Sequence, residues 1–205
     1  GGGRAFSPGQ TLGDTPATGV ADLERGLRDE YEPMLKAIYD SAIPTISAVN
    51  GAAAGAGANL ALTADVVIAA ESAYFLQAFT RIGLIPDAGG TYWLTRTMGS
   101  AKAMGAALFA DKISAKEADQ MGMIWESVPD EGFEAHWRAR AAHLAKGPSV
   151  AYRLTKQAIR GSWDQTLEDQ LATEAKLQGQ AGKSRDFKEG VVAFLEKRPA
   201  KYEGR

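Results

Sequence analysis

The chain contains no cysteine. Disulfides and thiolate chemistry are therefore excluded, and a reducing, cytoplasmic setting fits. Histidine is nearly missing: His136 and His143 are the only two, both in a stretch that reads as a solvated helix face, so no metal site is expected. There is no apolar run of ~18 or more residues, so no membrane-spanning helix is predicted. Neither sign of charge dominates: 23 basic against 25 acidic side chains leave a net charge of -2, which offers no basic surface for nucleic acid. Repeats and low-complexity tracts are absent. No secretory leader is visible at Gly1, although a gene can begin further upstream. What is present is a chain of 205 residues, 45% hydrophobic, enough for a sizeable core.

Glycine and alanine carry most of the information. Residues 50 to 59 read Asn-Gly-Ala-Ala-Ala-Gly-Ala-Gly-Ala-Asn, after an apolar run from Pro44 to Val49 and before a helix-prone Leu60-Ala61-Leu62. Strand, small-residue turn and helix bring bare backbone N–H groups up to a ligand, because only small residues let main chain approach so closely. Such a site suits an oxyanion or a phosphate. Neither the Lys-Ser/Thr of a P-loop nor a GxGxxG pattern is present. A tight turn that only packs helix on strand has the same composition. Residues 82 to 91 repeat the design, with one carboxylate, Asp87, among Leu84, Ile85, Pro86 and Ala88. Those neighbours should raise its pKa. Asp87 would alternatively suit the N-cap of the next helix.

Pattern gives a mixed α/β layout. Leu23, Leu27, Tyr31, Met34, Leu35 and Ile38 predict an amphipathic helix over 20–41, with Pro33 marking a kink or break. Strands are predicted at 45–49, 66–70 and 124–128, and an extended piece at 74–79. Helices are predicted at 91–98 and 101–109, divided by Gly99. Ser114 and Glu117 have the spacing of a capping box. From Phe133 onward the chain reads as helices, broken near Gly147-Pro148, Gly161 and 179–183.

Three motifs in order resemble the enoyl-CoA hydratase/isomerase (crotonase) superfamily: "FxxGxD" at Phe6 to Leu12, "AVNGxAxGxGxxLALxxD" at Ala48 to Asp65, and "GLxPxxGGTxxLxR" at Gly83 to Arg96. The resemblance extends to the C-terminus. It implies an α/β fold with a β-β-α spiral core over 1–130 and a helical C-terminal trimerisation segment over 131–205. Members of this family carry further N-terminal strands and a helix before the first motif, so that part of the fold is expected to be missing here. The resemblance also implies an acyl-CoA substrate, a homo-trimer or hexamer, and no separate cofactor, since coenzyme A belongs to the substrate.

By the same resemblance, the thioester oxygen would be held by the backbone N–H groups of Gln10 and Ala56, with Phe6, Pro8, Gly9, Gly55, Asn59, Phe79, Pro86 and Gly89 around the substrate. The Pro8 carbonyl falls where relatives accept from the adenine amino group. Hydratases of this family activate water with two Glu residues; those positions are Asn59 and Phe79 here, and neither side chain is a general acid or base. That leaves Asp87 as the proton-transferring group. The stretch Phe75 to Arg96 is similar to the phenylacetate-pathway isomerases, which convert a ring-epoxide of phenylacetyl-CoA to an oxepin. An enoyl-CoA double-bond isomerase, a hydratase of fatty-acid oxidation and a non-catalytic CoA-thioester-binding relative stay open as alternatives. The closing helix, with Val191, Phe194 and Leu195 on one stripe and Arg185, Lys188, Lys197 and Arg198 nearby, would reach a neighbour's CoA site or form a solvated face.

Overall fold

The computed structural model describes residues 1–10 and 22–205. Thr11 and Leu12 of the first motif and the first two residues of the predicted 20–41 helix lie outside the described residues. The chain divides into two units, the first formed by Gly1–Ser41 and Thr45–Trp137, the second by Ala42–Pro44 and Arg138–Arg205.

The first unit is wound around two sheets. One is ordered β1 (Ala5–Ser7), β3 (Ala52–Ala54), β5 (Tyr74–Leu76) and β6 (Lys112–Ser114); the other β2 (Ile46–Val49), β4 (Val66–Ala70) and β7 (Glu126–Val128). All pairs are parallel except β5 with β6. Two successive turns of the spiral each take a strand from one sheet, a strand from the other, then a helix. Thus β2 and β3 lead to α3 (Ala56–Leu62), and β4 and β5 lead to α4 (Gly90–Phe109). Parallel strands covered on both faces favour continuous apolar runs. In β4, Val67 to Ala70 are all buried. The short α3 is buried nearly all round, at Ala56, Gly57, Ala58, Asn59, Ala61 and Leu62. That explains its Ala and Gly content, because larger side chains could not fit between the layers.

Polar side chains fix the corners. Asp65 Oδ2 accepts from Thr45 N at 2.8 Å and from Thr45 Oγ1 at 2.9 Å, clamping the entry of β2 to that of β4. The Ser114/Glu117 capping box forms at the start of α5 (Ala115–Gln120). Gly99 breaks α4 as predicted, with φ 76° and ψ 162° inside an otherwise helical run. The predicted N-terminal helix is α1 (Leu23–Gly26), a π-helical turn (Leu27–Tyr31) and α2 (Glu32–Tyr39). The π-turn lies just before Pro33, where a ring that clashes with the carbonyl four residues back forces the ladder to widen. Three strands went unpredicted: β1, β6 and β3, the last inside the segment read as a turn. His136 is not simply solvated: its Nε2 lies 2.7 Å from Glu126 Oε1.

The helix α6 (Phe133–Ala145) leads into the second unit, which holds α7 (Ser149–Gly161), α8 (Leu167–Ala181) and α9 (Arg185–Leu195). Its tail is fastened internally. Asp186, 2% exposed, accepts from the N–H groups of Glu203 and Gly204 at 2.7 and 2.9 Å. Glu189 receives two bonds from Arg198, at 2.7 and 3.0 Å, which hold its carboxyl down at about 2. Arg185 lies 3.9 Å from Glu203. Two of the four cations in the closing segment therefore face carboxylates of their own unit.

Candidate active site

The end of β1 and the start of α3 are pressed together. A Cβ built on Gly57 would lie 2.5 Å from both Ser7 O and Ser7 Oγ, so only glycine fits. Gly9, at φ 86°, brings its backbone to the first turn of α3: a Cβ there would meet Ala54 O at 2.8 Å and Ala56 N at 3.4 Å. Gly55 turns the chain from β3 into α3 with φ 54°. Its N–H donates to Leu76 O at 2.8 Å, and the Phe79 ring closes over it. Ala56 is the first helical residue, so its N–H has no intrahelical acceptor. Ser7, Gly9, Ala56 and Gly57 line one wall of a cavity of about 290 Å³, with Glu30, Tyr31, Met34 and Leu60 completing it. Gln10 and Pro8 are exposed beside it; Phe6 is half-buried against the core.

Asp87 lies on the loop before α4. The helix is capped by Gly89 without any side-chain bond, so Asp87 is not its N-cap. Its Oδ1 is buried with no hydrogen-bond partner among the described residues. Burial pushes the Asp87 carboxyl up, opposed by a bond to its own backbone. The apolar surroundings differ from those expected: Pro86 and Ala88 are buried, but Ile85 is 77% exposed and contributes little. The loop is strained, with Ala88 at φ 48° and the exposed Gly89 at φ 81°. A non-glycine residue in the left-handed region costs roughly 1–2 kcal/mol.

Tyr31 joins the two parts. It also lines a cavity of about 480 Å³ with Asp87, Ala88, Gly89 and residues of α1 and α2. Its phenol is pushed up first by burial and then by the charges of Asp87 and Glu30. Tyr31 was legible only as one apolar position of a helix; its place at the widened turn had no sequence signal. Gln77 was also missed as a functional residue. It is 1% exposed and donates through Nε2 to Asn59 Oδ1 at 2.9 Å. Asn59, expected around the substrate, is fully buried, and its Nδ2 donates to the Asp87 carbonyl at 2.8 Å. Phe79, also expected there, is 6% exposed and serves chiefly as packing over Gly55. Among the described residues, no cluster of His, Cys, Asp or Glu could hold a metal ion, and no helix is long and apolar enough to cross a membrane.

A two-sheet β-β-α spiral with a glycine-lined backbone pocket defines the class as crotonase-fold. The chain belongs to the enoyl-CoA hydratase/isomerase family, whose model matches residues 1–205. A Rhodobacter capsulatus protein named "Probable enoyl-CoA hydratase" is 64% identical over 205 residues, covering 100% of this chain and 79% of that one. The 1,2-epoxyphenylacetyl-CoA isomerase of Escherichia coli (strain K12) is 45% identical over 208 residues, again covering 100% and 79%. The crystal structure of an enoyl-CoA hydratase from Bacillus anthracis superposes with a TM-score of 0.86 at 32% identity, covering 92% of this chain and 73% of that one.

Proposed function

We propose that this protein is an acyl-CoA isomerase acting on ring-epoxidised phenylacetyl-CoA. The observation that carries the isomerase reading is the Asp87 carboxylate, half-buried with one oxygen unpartnered, beside a cavity it shares with Tyr31; the choice of acyl group is supported by the 45% identity to the 1,2-epoxyphenylacetyl-CoA isomerase. Tyr31 in turn lines the pocket that holds Ala56 N–H. In this scheme the N–H groups of Ala56 and Gln10 bind the thioester oxygen. Asp87 removes a proton from the carbon next to the thioester carbonyl, and the electron pair moves onto that oxygen. Donors already aimed at the oxygen stabilise this enolate more than the ground state. The epoxide's C–C bond opens to the seven-membered oxepin, and Asp87 returns the proton to a ring carbon. One proton leaves and one returns, so the product is an isomer and no cofactor is consumed.

A hydratase reading has support in the name of the 64% identical relative. Water addition in this family rests on two carboxylates, and this chain has Asn59 and Phe79 at those positions. An enoyl-CoA double-bond isomerase would use the same residues and differ only in the acyl group. The test is ultraviolet assay of a panel of epoxidised, unsaturated and saturated phenylacetyl-CoA and fatty acyl-CoA. Turnover of the epoxide without water addition to crotonyl-CoA is expected; robust crotonyl-CoA hydration would overturn the reading. We also propose a trimer or hexamer in the cytoplasm. The apolar α9 stripe supports the assembly, with Phe194 83% and Leu195 73% exposed; light scattering of a stable monomer would refute it.

A further inference from the structure

Two buried amides form a directed chain that ends on the Asp87 loop. The carbonyl of Asp87 can only accept, so the Asn59 atom 2.8 Å away must be its donor, Nδ2. Asn59 Oδ1 is then left to accept, and Gln77 Nε2 donates to it at 2.9 Å. The Asp87 carbonyl also accepts from Gly90 N–H at 2.8 Å. Gly90 packs so closely on the Asn59 amide that a Cβ at residue 90 would overlap it. The loop held this way contains the two left-handed residues Ala88 and Gly89. A strained loop keeps its shape only where its surroundings over-determine it.

We infer that Asn59, backed by Gln77, is a positioning residue: it fixes the Asp87 carbonyl and so keeps the Asp87 carboxylate in its half-buried seat facing the substrate cavity. The inference rests on the proton-shuttle reading of Asp87. It gives residue 59 a role different from water activation. An ionised Glu at 59 would have no proton to offer the Asp87 carbonyl and would repel it. The amide is thus the residue type the loop requires.

The test uses Asn59→Leu, which nearly conserves volume but removes both polar contacts, and Gln77→Leu, which removes only the outer donor. The readouts are carbon-detected NMR titration of the Asp87 carboxyl, amide exchange at Gly90, and the pH–rate profile. Burial is what pushes Asp87 up, so a loosened loop should let its titration fall toward the ordinary value of about 3.9. In Asn59→Leu, exchange at Gly90 should quicken at least ~10-fold while β4 amides stay protected. Turnover should fall ~10-fold or more with KM within a few-fold, and the acid limb should move down with the titration. Gln77→Leu should shift all three the same way by less. A folded Asn59→Leu with unchanged Asp87 titration and Gly90 exchange overturns the inference. If Asn59→Leu does not fold, unchanged titration in Gln77→Leu does so. If Asp87→Asn instead keeps its turnover, the proton-shuttle reading fails, while titration and exchange still decide the positioning role.

Discussion

Adding one methyl group at Gly57 should cripple the pocket without removing any polar group from it. A Cβ there would lie 2.5 Å from Ser7 O and 2.6 Å from Ser7 Cβ, against 3.4–4 Å for ordinary contact. Ser7 Oγ can rotate away, but the carbonyl and Cβ are tied to the end of β1. Relief therefore needs a backbone shift of 3.4 − 2.5, or ~0.9 Å, between the Ser7–Gln10 loop and the first turn of α3. That shift separates the two N–H groups assigned to the thioester oxygen. A misplacement of ~1 Å costs about 10² in rate, close to the effect of losing one oxyanion donor. Gly57→Ala should thus lower kcat about 10²-fold, or ~2.7 kcal/mol of transition-state stabilisation. Overpacking should cost ~1–3 kcal/mol of stability. Steady-state kinetics well below the melting temperature, with urea unfolding alongside, separates the two effects. Gly105→Ala is the control. It lies in α4 with open space where its Cβ would go, so it should be neutral or stabilising by ~0.5–1 kcal/mol. A Gly57→Ala enzyme with kcat within twofold of wild type would refute the argument.

Asp87→Asn should cut turnover at least ~10²-fold and leave CoA-thioester affinity within a few-fold. The raised Asp87 pKa also sets two pH signs. Proton removal needs the carboxylate, so wild-type kcat/KM should climb through an inflection above the ordinary ~3.9. Ionising a half-buried carboxyl costs the folded state stability as pH rises through that inflection. Asp87→Asn should therefore be more stable than wild type above it, with the gain vanishing below ~3.9; thermal melts across pH check this, and a constant difference would contradict it. Ala56→Gly should be mild and Ala56→Pro severe, because proline removes the N–H; equal kinetic damage from both would point to packing.

Much of this site was written locally in the chain. The turn at Gly55 into α3, the Asp87 loop, the break at Gly99 and the Ser114 capping box each depend on residues close in sequence, and the structure has them where pattern predicts. The β4 strand was equally plain, because a run of buried β-branched and small residues has few other fates. The strands β1, β3 and β6 have three residues each, too few to display a period of two. In β3, Ala52 to Ala54 lack strand-forming side chains, and their pairing partners, Ala5, Ser7 and Tyr74 to Leu76, are distant in sequence. The bond between Gln77 and Asn59 spans 18 residues and joins one turn of the spiral to the next, so nothing local announces it. Exposure of Ile85 is also a tertiary outcome: an apolar residue two positions from Asp87 reads as its neighbour, yet its side chain stands 77% exposed.

The most direct measurement follows one hydrogen. Ring-epoxidised phenylacetyl-CoA deuterated at the carbon next to the thioester carbonyl is turned over by wild-type protein and by Asp87→Asn, and the products are read by mass spectrometry and NMR. The wild-type product should have the mass of an isomer, carry part of the deuterium on the expanded ring, and be essentially absent with Asp87→Asn. A product heavier by one water, or undiminished turnover by Asp87→Asn, would contradict the account.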